Sequence, residues 1–475
     1  MKIYFLGIGG TFMGNLALLA RAMGHQVGGC DQNIYPPMSN ILQDAEIVID
    51  IGYQVECLPR ADIYVIGNAL SRGNPLIEHI LTHNLPMTSG PAWLSEHLLQ
   101  TRHVIAVAGT HGKTTTSTMI AWILQSVGLE PGYIIGGVPQ GFAQSAALGK
   151  SQYFVMEADE YDTAFFDKRS KFIHYKPSTL IINNLEFDHA DIFDDIDDIK
   201  KTFHHLLKII PANGQVISQY NDQSVHSVLQ QGCWSEQFSI ACHPSIHDQW
   251  LTFKSVDLQS RPIQQDWSEI EFLYANEAIK IHWQHIGYHN LCNATAAVAA
   301  ALHVGVSLTN AVQALSDFQG VKRRMELRFE KAGVKVYDDF AHHPTALALA
   351  IQGLRDKVGQ EKIVAIIEPR SNTMAMGVHE HTLSLAVEHA DEVVWLDSDR
   401  LGFNLQAAVG DQTVKDSVEE IVNSLIEDLK SKSKVKPNRP VHWLCMSNGA
   451  FGQIFDLMEQ ALTEFAATSN QVIAH

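Results

Sequence analysis

An apolar run, Val104-Ile105-Ala106-Val107-Ala108, breaks at Gly109, and Lys113-Thr114 then opens a helical pattern that passes through Ile120–Leu124. A buried strand, a glycine turn and a helix beginning on a cation leave little freedom of fold. The strand must lie inside a sheet, and the helix N-terminus must sit at its carboxyl edge. That layout cradles phosphate: backbone N–H groups and the helix dipole face an anion, with Lys113 as counter-charge. The Thr114 hydroxyl is placed to hold the Mg²⁺ of a bound nucleotide. Gly109, Thr110, His111, Gly112, Lys113, Thr114 and Thr115 are therefore the expected nucleotide-binding loop. The full spacing asks for a glycine where this chain has Val107, so an ordinary glycine-containing strand-to-helix turn is the competing reading.

With 475 residues, nearly half of them hydrophobic, the chain has material for two to four domains. It contains no apolar run long enough to span a bilayer. Six scattered cysteines form no CxxC or zinc spacing, which fits a reduced, cytoplasmic compartment. A net charge of −18 argues against nucleic-acid or anionic-membrane partners. Anionic ligands must then be held by loops, single Arg or Lys residues and metal.

The pattern of strands and helices predicts an α/β protein of three domains: 1–100, Rossmann-like; 101–319, central and P-loop ATPase-like; and 320–475, again Rossmann-like. The first opens with strand 2–6 and the turn Gly7-Ile8-Gly9-Gly10-Thr11-Phe12-Met13-Gly14, and its second strand ends in Asp31. Phe12 stands where a dinucleotide fingerprint needs its third glycine, so a different diphosphate nucleotide is favoured over NAD. The second has strands at 153–156 and 179–182, each followed at once by acidic sequence, and an irregular, β-like stretch from 215 to 286. The third has strands at 334–337, 363–367, 392–396 and 441–445. Lys430–Lys436 is read as a solvated basic loop.

Ligands of open α/β sheets bind outside the carboxyl ends of the strands, which puts Glu157-Ala158-Asp159-Glu160 opposite the phosphate loop. Mg²⁺ takes one or two carboxylates beside phosphate oxygens, and Glu157, nearest its strand, is the expected ligand. His189, after strand 179–182, could help hold a second metal or the transferring phosphoryl group. His289, Asn290 and Asn293 precede an alanine-rich stretch that allows close approach to a base or ribose. Arg323 and Arg324 offer planar donors suited to phosphate. For each set, a surface turn, helix cap or solvated face is the alternative.

Taken in order, these motifs resemble the Mur ligase family along essentially the whole chain. They comprise Gly-Thr-His-Gly-Lys-Thr-Thr-Thr, Glu-Ala-Asp-Glu, Asp-His, His-Asn-x-x-Asn-Ala, Gly-Val-Lys-Arg-Arg and Asp-Asp-Phe-Ala-His-His-Pro. The segments Asp162–Phe172, Asn184–Phe193, Glu368–Met374 and Met446–Gly449 are most similar to the branch that joins L-alanyl-γ-D-glutamyl-meso-diaminopimelate to UDP-N-acetylmuramate in peptidoglycan recycling.

The resemblance implies an ATP- and Mg²⁺-dependent, ADP-producing ligase, cytoplasmic, and a monomer or weak homodimer. It assigns Lys113 and Thr114 to ATP and Mg²⁺, Glu157 and His189 to metal, and His289, Asn290 and Asn293 to adenine. Arg324 falls to phosphate and Asp339 to ribose, while Gly9, Gly10, Thr11, Phe12, Met13 and Asp31 fall to the UDP-sugar. Lys113, Glu157, His189 and Arg324 would serve catalysis, with His343 or His342 as candidate base. Arg370 and Ser371 are expected to meet the anionic groups of the peptide. The carbamylated lysine of several Mur ligases cannot be assigned to Lys200, Lys201 or Lys208. An L-alanine ligase of de novo synthesis is the alternative enzyme. A non-catalytic nucleotide-gated binder and a dinucleotide oxidoreductase are readings from other classes.

Overall fold

The computed structural model describes residues 1–36, 38–252, 255–432 and 440–473. Among the described residues, three large sheets follow one another along the chain, and Asp162–Ala164 pairs with Asp167–Ser170 in a small two-stranded one. The first is five-stranded and parallel, in the order Val48–Ile51, Gln26–Asp31, Lys2–Leu6, Ile63–Ile66, Met87–Ser89. Its strand order reverses beside Lys2–Leu6, so the turn carrying Gly9 to Met13 emerges at the crevice where such sheets bind ligands.

The central sheet has ten strands. From one edge these are Glu277–His282, Glu269–Tyr274, Leu258–Pro262, Glu236–Cys242, Gln215–Gln219, Thr179–Ile182, His103–Ala108, Tyr153–Glu157, Gly132–Ile134 and Ala146–Ala147. It is parallel from Leu258–Pro262 through Gly132–Ile134 and antiparallel at both edges. The stretch from 215 to 286, read as irregular and β-like, supplies strands Gln215–Gln219, Glu236–Cys242, Leu258–Pro262, Glu269–Tyr274 and Glu277–His282, with helix Gln223–Gln230 between the first two. Its edge hairpin alternates half-exposed faces, which blurs any single apolar run.

Successive residues of a strand face opposite ways, and here that alternation joins the domains. Ile105 and Val107 enter a core that continues into Leu347, Ile351 and Leu354 of the C-terminal unit. Val104, Ala106 and Ala108 enter the opposite core, shared with Leu16, Leu19 and Trp93 of the N-terminal unit. Each outer domain therefore packs on its own face of the central sheet.

The third sheet runs Glu326–Lys331, Val334–Asp339, Val441–Met446, Lys362–Ile367, Glu392–Leu396, Thr413–Lys415, parallel except for its first pair. Helices Val418–Lys432 and Ile454–Ile473 close its outer face. Lys430 to Lys432 end the first of these helices, so the basic run is helical at its start, and its remainder lies outside the described residues. No helix among the described residues is long and apolar enough to cross a membrane.

Candidate active site

The phosphate loop leaves strand His103–Ala108 and enters helix Lys113–Ser126 through two glycines with positive φ, Gly109 at 122° and Gly112 at 82°. A β-carbon on Gly109 would lie 2.8 Å from the Asn184 carbonyl oxygen, and one on Gly112 would strike Asn293 Oδ1 and Asn183 Nδ2. Only glycine fits either place. Val107 is still inside the strand and wholly buried, and Gly109 makes the turn two residues later. That explains the departure from the commoner spacing.

The neighbouring strand Thr179–Ile182 supplies the floor of this loop. Asn184 Oδ1 accepts from His111 N at 2.8 Å, Asn183 Nδ2 donates to His111 O at 3.2 Å, and Thr110 Oγ1 donates to Glu186 O at 3.2 Å. Thr116 Oγ1 donates to Asn293 Oδ1 at 3.1 Å, tying helix Lys113–Ser126 to helix Tyr288–His303. Asn183 and Asn184 brace the loop. Their sequence signal was only their place after a buried strand.

Charge is concentrated in front of this loop. Lys113 Nζ donates to Gly109 O at 2.6 Å and pairs with Glu160 Oε2 at 3.1 Å. Burial alone would lower its pKa, but Glu160, Asp159 and Glu157 outweigh burial and raise it. Glu160 also meets His189 Nε2 at 3.1 Å, while His189 Nδ1 lies 2.7 Å from the Tyr161 hydroxyl. Burial would push the His189 imidazole down; the Glu160 contact outweighs it and raises it. Thr114 Oγ1 donates to Glu157 Oε2 at 3.0 Å, and Gly136 N donates to the other Glu157 oxygen at 2.5 Å. Burial raises the Glu157 carboxyl. Thr114 and Glu157 are therefore adjacent, as expected for ligands of one ion, and His189 joins them through Glu160 and Lys113. The sequence reading chose Glu157 and gave no part to Glu160, which is the counter-ion shared by the loop lysine and the histidine.

A cavity of about 730 Å³ opens from the loop, lined on its far side by His289, Asn290, Asn293, Arg324, Asp339 and Phe340. Burial holds His289 neutral, down to about 4. Arg324 stacks 4.9 Å over the Phe340 ring and faces the cavity. Its neighbour Arg323 is structural, donating to Ser447 O at 2.6 Å and Gly449 O at 2.7 Å. Asp339 accepts from Met325 N at 2.7 Å and Ala341 N at 2.8 Å.

A second cavity, about 160 Å³, lies between the N-terminal and central units, lined by Phe12, Asn15, Gly136, Glu157, Asp159 and Lys171. Lys171, buried, pairs with Asp159 at 3.2 Å, and Asn15 Oδ1 has no hydrogen-bond partner. Neither residue was singled out from sequence. In the first turn, Asp31 Oδ2 accepts from Gly9 N at 2.8 Å, Gly10 caps helix Thr11–Ala22, and the Met13 side chain is buried in the core. Met13 can therefore offer a ligand only its backbone, whereas Thr11 is exposed.

The C-terminal unit meets the central one through polar side chains. Thr345 Oγ1 donates to Glu186 Oε2 at 2.6 Å, Thr373 Oγ1 to Asp188 Oδ1 at 2.7 Å, and Asn372 Nδ2 to Asp191 Oδ2 at 2.9 Å. His343 Nδ1 accepts from Thr345 N at 3.3 Å, capping helix Pro344–Val358. Ser371 caps the short helix Asn372–Ala375 and donates to His342 O at 3.2 Å, so its hydroxyl is already engaged. Arg370 lies against Gly449, with Glu368 3.5 Å away. None of Lys200, Lys201 and Lys208 lines the large cavity, and the first two pair with Asp197 and Asp198 on their own helix.

Comparison with known families matches the Mur ligase family catalytic domain to residues 2–102, the Mur ligase middle domain to 107–301 and the Mur ligase glutamate ligase domain to 323–435. The chain belongs to the Mur ligase family. This Mur ligase is 47% identical over 469 residues, 98% of its length and 99% of the relative's, to the UDP-N-acetylmuramate–L-alanyl-γ-D-glutamyl-meso-2,6-diaminoheptandioate ligase of Escherichia coli K12. It is 30% identical to the UDP-N-acetylmuramate–L-alanine ligase of Legionella pneumophila, covering 83% of this chain and 82% of that one. The crystal structure of a murein peptide ligase from Psychrobacter arcticus superposes with a TM-score of 0.74 at 42% identity, covering 97% and 98% of the two chains. The three-domain α/β architecture expected from sequence is that of these relatives.

Proposed function

We propose that this Mur ligase joins L-alanyl-γ-D-glutamyl-meso-diaminopimelate to UDP-N-acetylmuramate with conversion of ATP to ADP and phosphate, a cytoplasmic step of peptidoglycan recycling. Two curated relatives of that activity match nearly the whole chain at 46–47% identity, against 30% for the L-alanine ligase. The observation that carries the mechanism is that Glu157 and Asp159 line both cavities. The UDP-sugar side and the nucleotide side thus meet at one pair of carboxylates.

A carboxylate is a poor acylating agent because oxide is a poor leaving group. In the reading proposed here, the muramoyl carboxylate reaches through the small cavity and attacks the γ-phosphate of ATP, releasing ADP and leaving an acyl phosphate. Lys171 neutralises the incoming carboxylate, and Lys113, Arg324 and the loop N–H groups hold the phosphoryl oxygens. A hydroxyl beside a buried carboxylate is a donor set that suits Mg²⁺. Thr114 and Glu157 would hold that ion, with His189 near them, and it would supply charge neutralisation on the phosphates. His289, Asn290, Asn293 and Asp339 border the nucleoside end.

The peptide amine then displaces phosphate, with Arg370 facing its carboxylates. Burial holds His342 and His343 at about 4, too weakly basic to deprotonate an ammonium whose pKa is near 8. The amine therefore enters neutral, and His343 serves as a cap instead of a base. ADP release with UDP-N-acetylmuramate and the tripeptide, but not with L-alanine, is the expected result. Release with L-alanine alone would make the chain the de novo ligase.

A further inference from the structure

Beside the cavity that Thr114 and Glu157 line, three other metal-competent side chains from two domains converge on one point. His111 Nε2 and His343 Nδ1 each stand 3.5 Å from Glu186 Oε2. Among the described residues, these three alone form a group whose donor atoms all lie within 4.8 Å of one another. His343 is 5% exposed, and its Nε2, His111 Nε2 and the Nε2 of the adjoining His379 ring are buried without a hydrogen-bond partner. The one bond that would have to yield is the 3.3 Å contact from Thr345 N to His343 Nδ1.

Ligands held tetrahedrally at 2.0–2.1 Å from a metal lie roughly 3.4 Å apart, close to the separation of each imidazole from the carboxylate. Metal binding needs neutral imidazole and ionised carboxylate. His343 Nδ1 accepts a hydrogen bond from Thr345 N, so that nitrogen carries no proton. Glu186 Oε2 already accepts from Thr345 Oγ1 at 2.6 Å, a contact that favours the ionised carboxylate. Two imidazoles and one carboxylate favour a borderline ion such as Zn²⁺ or Co²⁺ over Mg²⁺, which prefers an all-oxygen shell.

We propose that His111, Glu186 and His343 form a second cation site, for a divalent transition metal, separate from the Mg²⁺ position at Thr114 and Glu157. His111 and Glu186 belong to the central unit and His343 to the C-terminal one. An ion held there pins the peptide-side domain to the phosphate loop, and its fourth position stays open to water. The site does not depend on which amine the enzyme uses, so its test needs no substrate.

The test is titration of the metal-free protein with Co²⁺ alone. One equivalent should develop the visible ligand-field bands of a tetrahedral nitrogen–oxygen site. Those bands should be lost in His343→Asn and in Glu186→Gln, and kept in His189→Asn. Zn²⁺ alone should raise the melting temperature of the wild type and leave that of the two site variants unmoved. Absence of the bands, or their survival in both site variants, overturns the proposal. Loss in His189→Asn with retention in the site variants also overturns it, by moving the ion to the Mg²⁺ position. Thiolate charge-transfer absorption overturns it too, by assigning the ion to cysteine. Melting of each metal-free variant checks folding, and the near-isosteric Glu186→Gln decides if His343→Asn does not fold.

Discussion

The two seams that flank the central sheet each enclose an apolar core but differ in the polar bonds that cross them. On the N-terminal side, helix Thr11–Ala22 packs into a core shared with the central sheet, and its polar links are few: Asn15 Nδ2 to Ile135 O at 3.1 Å and Lys171 5.9 Å over the Phe12 ring. On the C-terminal side, Glu186, Asp188 and Asp191 each take a hydrogen bond from a Thr or Asn of the other unit, and His343 faces His111. Such polar contacts have ready replacements in water, so each holds the domain by only about 1 kcal/mol net. The N-terminal seam offers fewer such bonds for water to replace. The contrast makes the C-terminal unit the one expected to move against the central sheet, with the N-terminal unit expected to stay seated.

Removing what both seams converge on should cost most. Lys113→Ala takes away the loop cation and strands Glu160, buried at 3% exposure, with only His189 beside it. ADP release should fall by roughly 10³-fold, the scale of losing one preorganised charge stabiliser, while fluorescence titration with UDP-N-acetylmuramate stays near wild type. Equal losses in turnover and in sugar binding would show that the seams are not independent of the loop.

The N-terminal seam comes next. Lys171→Met should raise KM for UDP-N-acetylmuramate about tenfold, the effect of roughly 1.4 kcal/mol, and leave KM for the peptide unchanged. Lys171→Arg should recover much of the loss. Because the change also leaves Asp159 less compensated, a melting curve must accompany the kinetics. A rise confined to the peptide KM would place Lys171 on the wrong seam.

The fold and the phosphate loop were legible from sequence because their signals are local. A buried strand, a glycine turn and a helix lie between residues 103 and 126, and near-continuous burial marks Thr179–Ile182 and Val334–Asp339. What could not be read was partnership across the chain. Glu160 looked like one acid in a row of four until the fold put Lys113 and His189 on either side of it. Lys171 opens the 3-10 turn Lys171–His174, just after strand Asp167–Ser170, with no chemical pattern, and only packing against Phe12 and Asp159 gives it a role. Ser371 and Met13 erred the other way. Their residue types and positions suited a ligand, but a helix cap and a core had already claimed their side chains.

The polar seam should yield to smaller changes. Thr373→Val removes the hydroxyl that donates to buried Asp188 Oδ1 and accepts from Ala190 N at 3.2 Å. With about 1 kcal/mol lost, the peptide KM should rise about fivefold, and hydrogen exchange should quicken in residues 186–191. KM for UDP-N-acetylmuramate should not change. If it rises equally, the C-terminal seam is no looser than the other.

The smallest effect is one that neither seam should feel. At the amino end of the central sheet, His103 Nε2 lies 2.8 Å from Thr179 Oγ1, which also meets His303 Nδ1 at 2.7 Å. Burial, and then His303, lower the His103 pKa to about 4, against about 6.5 in an unfolded chain. Between those values the unfolded state binds more protons, so stability rises with pH across the window. It is fully present above about 6.5 and is lost progressively as pH falls toward 4. Urea midpoints measured with a chelator present should follow that slope, and His103→Gln should flatten it. Domain docking, followed by proteolysis of the C-terminal unit, should be the same in both proteins at pH 7. An acid slope unchanged in His103→Gln would shift the titration to the seams, and the polar one would then be the first place to look.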